Sequence, residues 1–104
     1  MKKLLMLLLL WGPMVVAQSL WIDVRTAEEY QAGHLEGAIN IPYDEIKQKI
    51  SAVSTDKTAD ILLYCRSGRR SGIALETLRS LGYSKVTNAG AYEQLKQKQA
   101  KSNE

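Results

Sequence analysis

The chain contains a single thiol, Cys65, and it opens the run Cys65-Arg66-Ser67-Gly68-Arg69-Arg70. Three arginines and a glycine within five residues of a cysteine describe an anion site built around a nucleophile. Gly68 supplies the backbone freedom to curl the segment tightly. Amide N–H groups in such a curl converge on one point, backed by the positive end of any helix that follows. The side chains of Arg66, Arg69 and Arg70 add full charges. An inert buried cysteine would need none of this, because free cysteine packs as a small hydrophobe.

Thiolate formation accounts for only part of what such a loop offers. A free cysteine with pKa about 8.5 is roughly 3% ionised at neutral pH, and cations and helix ends can bring that pKa to about 3.5–7.5. A fall of about 2.5 units raises the thiolate fraction about thirtyfold but lowers its intrinsic nucleophilicity about tenfold, for a Brønsted slope of about 0.4–0.5. The net gain is a few-fold. The larger effect must fall on charge further out, on the substrate and on whatever becomes attached to sulfur.

The elements that position this loop read as alternating strands and helices. Leu20 to Val24 is a short apolar strand. Thr26 and Glu29 have capping-box spacing, so a helix starts at Thr26, runs through Tyr30 and ends at Gly33. Ala38 to Ile41 is a second strand, stopped by Pro42. Asp44 is placed to cap a helix whose apolar face carries Ile46, Ile50 and Val53. Ser54 to Ala59 is a polar loop, and Ile61 to Tyr64 is a continuous apolar strand of the kind buried on both faces of a parallel sheet. A helix from Ser71 presents Ala74, Leu78 and Leu81, with Gly82 at its carboxyl end. Lys85 to Thr87 forms a fourth strand, Tyr92 to about Gln99 a last helix, and residues 100–104 a frayed tail. This order implies an α/β domain, a small parallel sheet with helices on both faces. Cys65 stands just beyond the carboxyl end of the most buried strand, where open α/β sheets bind their ligands.

The amino terminus is set apart from that domain. Lys2 and Lys3 precede the apolar run Leu4 to Leu10, Gly12-Pro13 breaks it, and Val15-Val16-Ala17 has the small residues of a cleavage site. Residues 1–17 therefore read as a secretory signal peptide, cut between Ala17 and Gln18. Leu4 to Ala17 falls short of the roughly 20 residues a spanning helix needs. The reading implies a periplasmic product, residues 18–104, with no membrane attachment after cleavage. Without Lys2 and Lys3, twelve basic and eleven acidic side chains remain. No basic stripe with interleaved aromatics appears, which argues against nucleic acid as a partner. A lone cysteine in a small exported domain has no partner within the chain for a disulfide, so a reactive thiol or intermolecular pairing is expected.

Two anion chemistries suit a cysteine in such a cradle. Phosphoryl or arsenate chemistry has the familiar arrangement of cysteine, five residues, then arginine. Here that position is Ser71, and the arginine arrives one step earlier at Arg70. The tighter ring favours a single sulfur atom attached to Cys65 over a tetrahedral oxyanion.

The stretches WIDVRTAEEYQAGHLEGAINIP and LLYCRSGRRSGIALETLRSLGYSKVTNAG, which span most of residues 18–104, resemble the rhodanese family. The resemblance implies a thiosulfate sulfurtransferase in which Cys65 carries the sulfur and Arg66, Ser67, Gly68, Arg69 and Arg70 form the active-site loop. It further implies a thiosulfate donor, a cyanide or thiol acceptor, and no metal or organic cofactor. Arg70, which ends the motif, is the first choice for a side-chain role on substrate. A sulfur-carrying or redox-sensing module with slow turnover is the non-catalytic alternative.

Other polar residues read as structural. His34 sits in the turn of GHLEGAINIP, Arg25 is placed to pair with Glu29 at the first helix start, and Asp23 lies near the loop without an evident chemical role. Trp21 reads as core. The resemblance has one departure: Ala91 stands where relatives often have a second glycine, which leaves the backbone there open.

Overall fold

A computed structural model describes residues 19–102. The expected signal peptide and its cleavage site lie outside the described residues. Four strands form one parallel sheet: β1 (Leu20–Asp23), β2 (Ile39–Asn40), β3 (Ile61–Cys65) and β4 (Val86–Ala91), in the spatial order β2-β1-β3-β4. The helices between and after them are α1 (Ala27–Ala32), α2 (Ile46–Val53), α3 (Arg69–Ser80) and α4 (Tyr92–Ser102).

Alternation along the strands divides the core in two. Ile22 on β1 and Ile61, Leu63 and Cys65 on β3 point to the larger side, packing with Ile46 and Ile50 of α2 and Ala74 and Leu78 of α3. Tyr64 points the other way, into a smaller cluster with Leu35 and Ala38 that Trp21, Tyr92 and Leu95 partly cover. Trp21 is therefore a half-buried member of the second core, tilted against Tyr64 with ring centroids 6.5 Å apart. Among the described residues, no helix is long and apolar enough to cross a membrane.

Most local signals in the sequence hold. Thr26 caps α1 with both arms of its capping box in place, since Thr26 Oγ1 accepts from the Glu29 N–H and Glu29 accepts from the Thr26 N–H. Gly82, at φ +100°, closes α3 with a Schellman turn in which Tyr83 N–H donates to Leu78 O and Gly82 N–H to Arg79 O. Tyr83 and Leu78 also pack together in the core.

Five expectations need correction. The fourth strand, expected over Lys85 to Thr87, runs from Val86 to Ala91, paired to β3 through Cys65 across a bulge. Glu45, not Asp44, occupies the N-cap of α2, and no side chain caps that helix. Val53 is exposed: it is the last residue of α2, past Ile50, where that helix's buried face ends. Helix α3 begins at Arg69, so the loop after β3 is even shorter than expected. Helix α4 continues to Ser102, through residues read as a frayed tail.

Candidate active site

The carboxyl ends of β1 and β3 lie side by side, Asp23 in register with Tyr64, and each ends in a polar cluster. At the end of β1 the cluster is closed. The Asp23 carboxylate, fully buried, accepts from the Arg25 backbone N–H at 2.9 Å, from Nε at 2.9 Å and from Nη2 at 2.6 Å. Arg25 Nη2 also donates to Gly33 O at 2.7 Å, and its guanidinium lies 4.3 Å from the centre of the Tyr92 ring. Asn40 Nδ2 ties the same segment from β2, donating to the carbonyls of Asp23 and Arg25. Arg25 was expected to pair with Glu29 instead. The pair two residues apart wins because the fully buried Asp23 carboxylate has no solvent to meet its charge, whereas Glu29 is already held by Arg70 and the Thr26 N–H.

At the end of β3 the cluster is open. Cys65 is the last residue of the strand and is 1% exposed. Gly68 adopts φ +102° as the N-cap of α3, which bends the chain back over the sulfur. Its N–H donates to Cys65 Sγ at 2.9 Å, and the Ser71 N–H reaches the same atom at 3.4 Å. The Ser71 hydroxyl lies 3.5 Å from Sγ. Burial pushes the Cys65 thiol up, but hydrogen bonds from the Ser71 hydroxyl and the amides of Ser71, Gly68 and Ser67 together bring it below its ordinary value. The first intrahelical bond of α3 runs from Gly72 N–H to Gly68 O. The amides of Arg69 and Arg70 therefore precede any carbonyl that could accept them within the helix, and they belong to the same positive first turn.

The three loop arginines divide. Arg70, half-buried, donates from Nη1 and Nη2 to Glu29 Oε1 and Oε2 at 2.8 and 3.1 Å. Those bonds hold the Glu29 carboxyl down to about 2 and tie the active-site loop to the capping box of α1. The residue first chosen for substrate is thus engaged with a carboxylate. Arg66 and Arg69 are exposed. Arg66 borders a cavity of about 420 Å³ walled also by Arg25, Gly33, Tyr92, Glu93 and Lys96. Ser67 is exposed at the tip of the loop.

Two contributors escaped the sequence reading. Ser71, fully buried, adds an amide and a hydroxyl to the sulfur's surroundings. Asn88, on β4, holds the back of the loop through Gly68 O and the Ser71 hydroxyl. Burial of a serine at the third helical position was a signal available from α3 periodicity, since Ser71 lies on the face of Ala74 and Leu78. Asn88 had no local signal. His34 is structural, as expected: it is exposed, its Nδ1 donates to Tyr30 O at 2.8 Å, and its ring stacks on Tyr30. The Asp23 carboxylate bonds Arg25, and the Asp23 carbonyl accepts from Asn40 and Ile41 on the β2 side, apart from the cysteine loop. Ala91 pairs with Cys65 and needs no glycine, because the positive φ falls on Gly90. No three His, Cys, Asp or Glu side chains gather as metal ligands among the described residues.

A lone cysteine at the carboxyl end of a parallel strand, facing the amides at the start of the next helix, is an arrangement suited to binding anions at sulfur. Comparison with known proteins narrows it. The rhodanese-like domain model matches residues 9–98, and the chain belongs to that family. The Escherichia coli thiosulfate sulfurtransferase PspE is 45% identical over 94 residues, 90% of each chain. Human thiosulfate:glutathione sulfurtransferase is 34% identical over 91 residues, 75% of this chain and 79% of that one. Among solved structures, an E. coli rhodanese with anions superposes with a TM-score of 0.71 at 46% identity, covering 73% of this chain and 89% of that one. The human single-domain sulfurtransferase TSTD1 gives 0.68 at 28% identity over 92% of both. The chain is a sulfurtransferase.

Proposed function

We propose that this enzyme moves the outer sulfur of thiosulfate to cyanide or a thiol through a persulfide on Cys65. The observation that carries the reading is the convergence of the Gly68 and Ser71 N–H groups on Sγ at the mouth of α3. The Cys65 thiolate attacks the outer sulfur, the S–S bond of thiosulfate breaks, and sulfite leaves with the bonding pair. The acceptor then attacks the same sulfur, and the electron pair returns to Cys65 as thiolate. This is covalent catalysis in two half-reactions.

Roles follow from what each group has left to give. The amides of the loop and first helical turn, Gly68 through Ser71, stabilise the anionic outer sulfur and the departing sulfite. Arg66 and Arg69, both exposed beside the cysteine loop, attract the dianionic donor. Arg70 positions the loop through Glu29. That pairing also weakens the phosphatase or arsenate reading, since the guanidinium that would clamp a tetrahedral oxyanion is bidentate on a carboxylate. The signal-peptide pattern of residues 1–17 extends the proposal to an exported, periplasmic enzyme; an intact amino terminus on the mature protein would contradict that part.

Initial rates with thiosulfate and cyanide test the cycle. Parallel double-reciprocal lines are expected, and intersecting lines would require both substrates to bind before sulfur moves. A burst of sulfite followed by negligible turnover would instead indicate a sulfur carrier.

A further inference from the structure

The Ser71 hydroxyl has one proton and three neighbours able to accept it: Asn88 Oδ1 at 2.7 Å, Gly68 O at 3.1 Å and Cys65 Sγ at 3.5 Å. The orientation of the Asn88 carboxamide is fixed by two backbone groups. Its Nδ2 donates to Gly68 O at 2.9 Å, and its Oδ1 accepts from the Gly90 N–H at 3.0 Å. Turning the amide over would set oxygen against carbonyl and N–H against N–H. Oδ1 therefore faces Ser71, and the shortest of the three contacts takes the hydroxyl proton. Cys65 as a thiol then donates its own S–H to Ser71 Oγ.

The backbone of β4 is shaped for this contact. Leu63 pairs with Asn88, but Tyr64 pairs with Gly90, so Ala89 is skipped as a bulge. Gly90 has φ +103°, and its Cα lies 3.7 Å from where a side chain on Gly68 would begin. A bulge beside a site commonly re-aims one side chain. Here it lies beside the residue whose carboxamide reaches behind the cysteine loop.

The geometry points to Asn88 as a positioning residue that parks the Ser71 hydroxyl proton while sulfur is neutral and releases it to Cys65 Sγ when sulfur is an anion. The one covalent change is ionisation of Cys65 itself: the S–H bond breaks, its electron pair stays on sulfur and the proton leaves to a solvent base, while the Ser71 hydroxyl only rotates about its C–O bond and exchanges one hydrogen bond for another. Asn88 Oδ1 keeps the Gly90 N–H in either position, so neither state leaves a buried polar atom unpaired. Over the sulfur-transfer cycle the hydroxyl would turn to Sγ in the free thiolate. It would turn back when charge moves to the outer sulfur of the persulfide. The competition makes Asn88 a brake on thiolate formation through Ser71, as well as an anchor for Gly68 O.

The inference rests on Cys65 as the reacting group proposed above, but its test needs no sulfur donor. The thiolate absorbance of Cys65 is titrated in the full chain, in Asn88→Ala, in Ser71→Ala and in the double variant. The charged groups near the sulfur are unchanged throughout: Arg66 on the loop, Arg69 and Arg70 at the start of α3, Glu29 on α1, Asp23 at the end of β1 and Arg25 just beyond it. Loosening of the loop through Gly68 O occurs whenever Asn88 is removed, so it cancels between the two backgrounds. The Asn88→Ala shift should be more downward by about half a pKa unit when Ser71 is present than when it is absent, roughly threefold in thiolate fraction. Equal shifts in the two backgrounds would overturn the proposal. Should Asn88→Ala fail to fold, the side-chain amide signals of Asn88 decide the matter in the unaltered chain. They should move as Cys65 titrates and lose that response in Ser71→Ala; no response in the unaltered chain would overturn the proposal. A chain that showed the coupling yet turned over no thiosulfate would refute the proposed function and support the switch.

Discussion

The ends of β1 and β3 are neighbours in one sheet, and both put charged or ionisable groups where α/β folds bind ligands. They differ in what is left unpaired. At β1, the Asp23 carboxylate and the Arg25 guanidinium satisfy each other, with Gly33 O and Tyr92 taking up the remaining faces. At β3, two amides and a hydroxyl converge on one sulfur, two further amides of the helical turn have no carbonyl to meet, and Arg66 and Arg69 stand exposed. Position at a strand end is therefore not enough for chemistry. A surplus of donors over acceptors is what distinguishes the reactive end from the structural one.

Substitutions can break that contrast in order of expected effect. Cys65→Ser should take sulfur transfer to background while the protein stays folded, and a loss smaller than about tenfold would remove Cys65 from the nucleophile's role. Asp23→Ala should strand the buried Arg25 charge and cost about 3–5 kcal/mol of stability in denaturant melts. Activity per folded molecule should survive it; a selective loss of turnover in a stable protein would mean that the closed cluster also works on substrate. Glu29→Gln should weaken the tie to Arg70 and one arm of the capping box, a cost of about 1–2 kcal/mol after allowance for partial exposure.

The same carboxylate makes a pH prediction. Its folded pKa lies near 2, below the ordinary carboxylate value, so its contribution is complete above about pH 4.5 and is lost as pH falls toward 2. The stability gap between the unaltered chain and Glu29→Gln should close over that window, and a constant gap would sever the link to ionisation. The smallest effect is expected from Arg66→Gln, a few-fold rise in KM for thiosulfate with kcat nearly unchanged. An unchanged KM would confine Arg66 to solvent.

The parts of this molecule legible in the sequence are those fixed by neighbours along the chain. Thr26 and Glu29 are three residues apart, Gly82 follows its helix directly, and Cys65 follows an apolar strand, so their roles could be read before any folding. The fold class followed from the order of elements. What escaped depended on lateral order in the sheet. Arg70 meets Glu29 across 41 residues, and Ser71 meets Asn88 across 17, only because β3 lies between β1 and β4. Arg25 had two carboxylates within reach by spacing, and burial at the end of β1 chose Asp23. The exposure of Val53 likewise reflects where α2 ends, since helical periodicity fixes a face but not how far along it the core reaches.

The central claim is that the donor-rich end of β3 exists to hold an extra sulfur. Intact mass measured before thiosulfate, after it, and again after cyanide tests this directly, since Cys65 is the only cysteine in the chain. One sulfur atom should be gained and then completely lost, with neither change in Cys65→Ser. A mass unmoved by thiosulfate, in a protein that still produces thiocyanate, would contradict that claim.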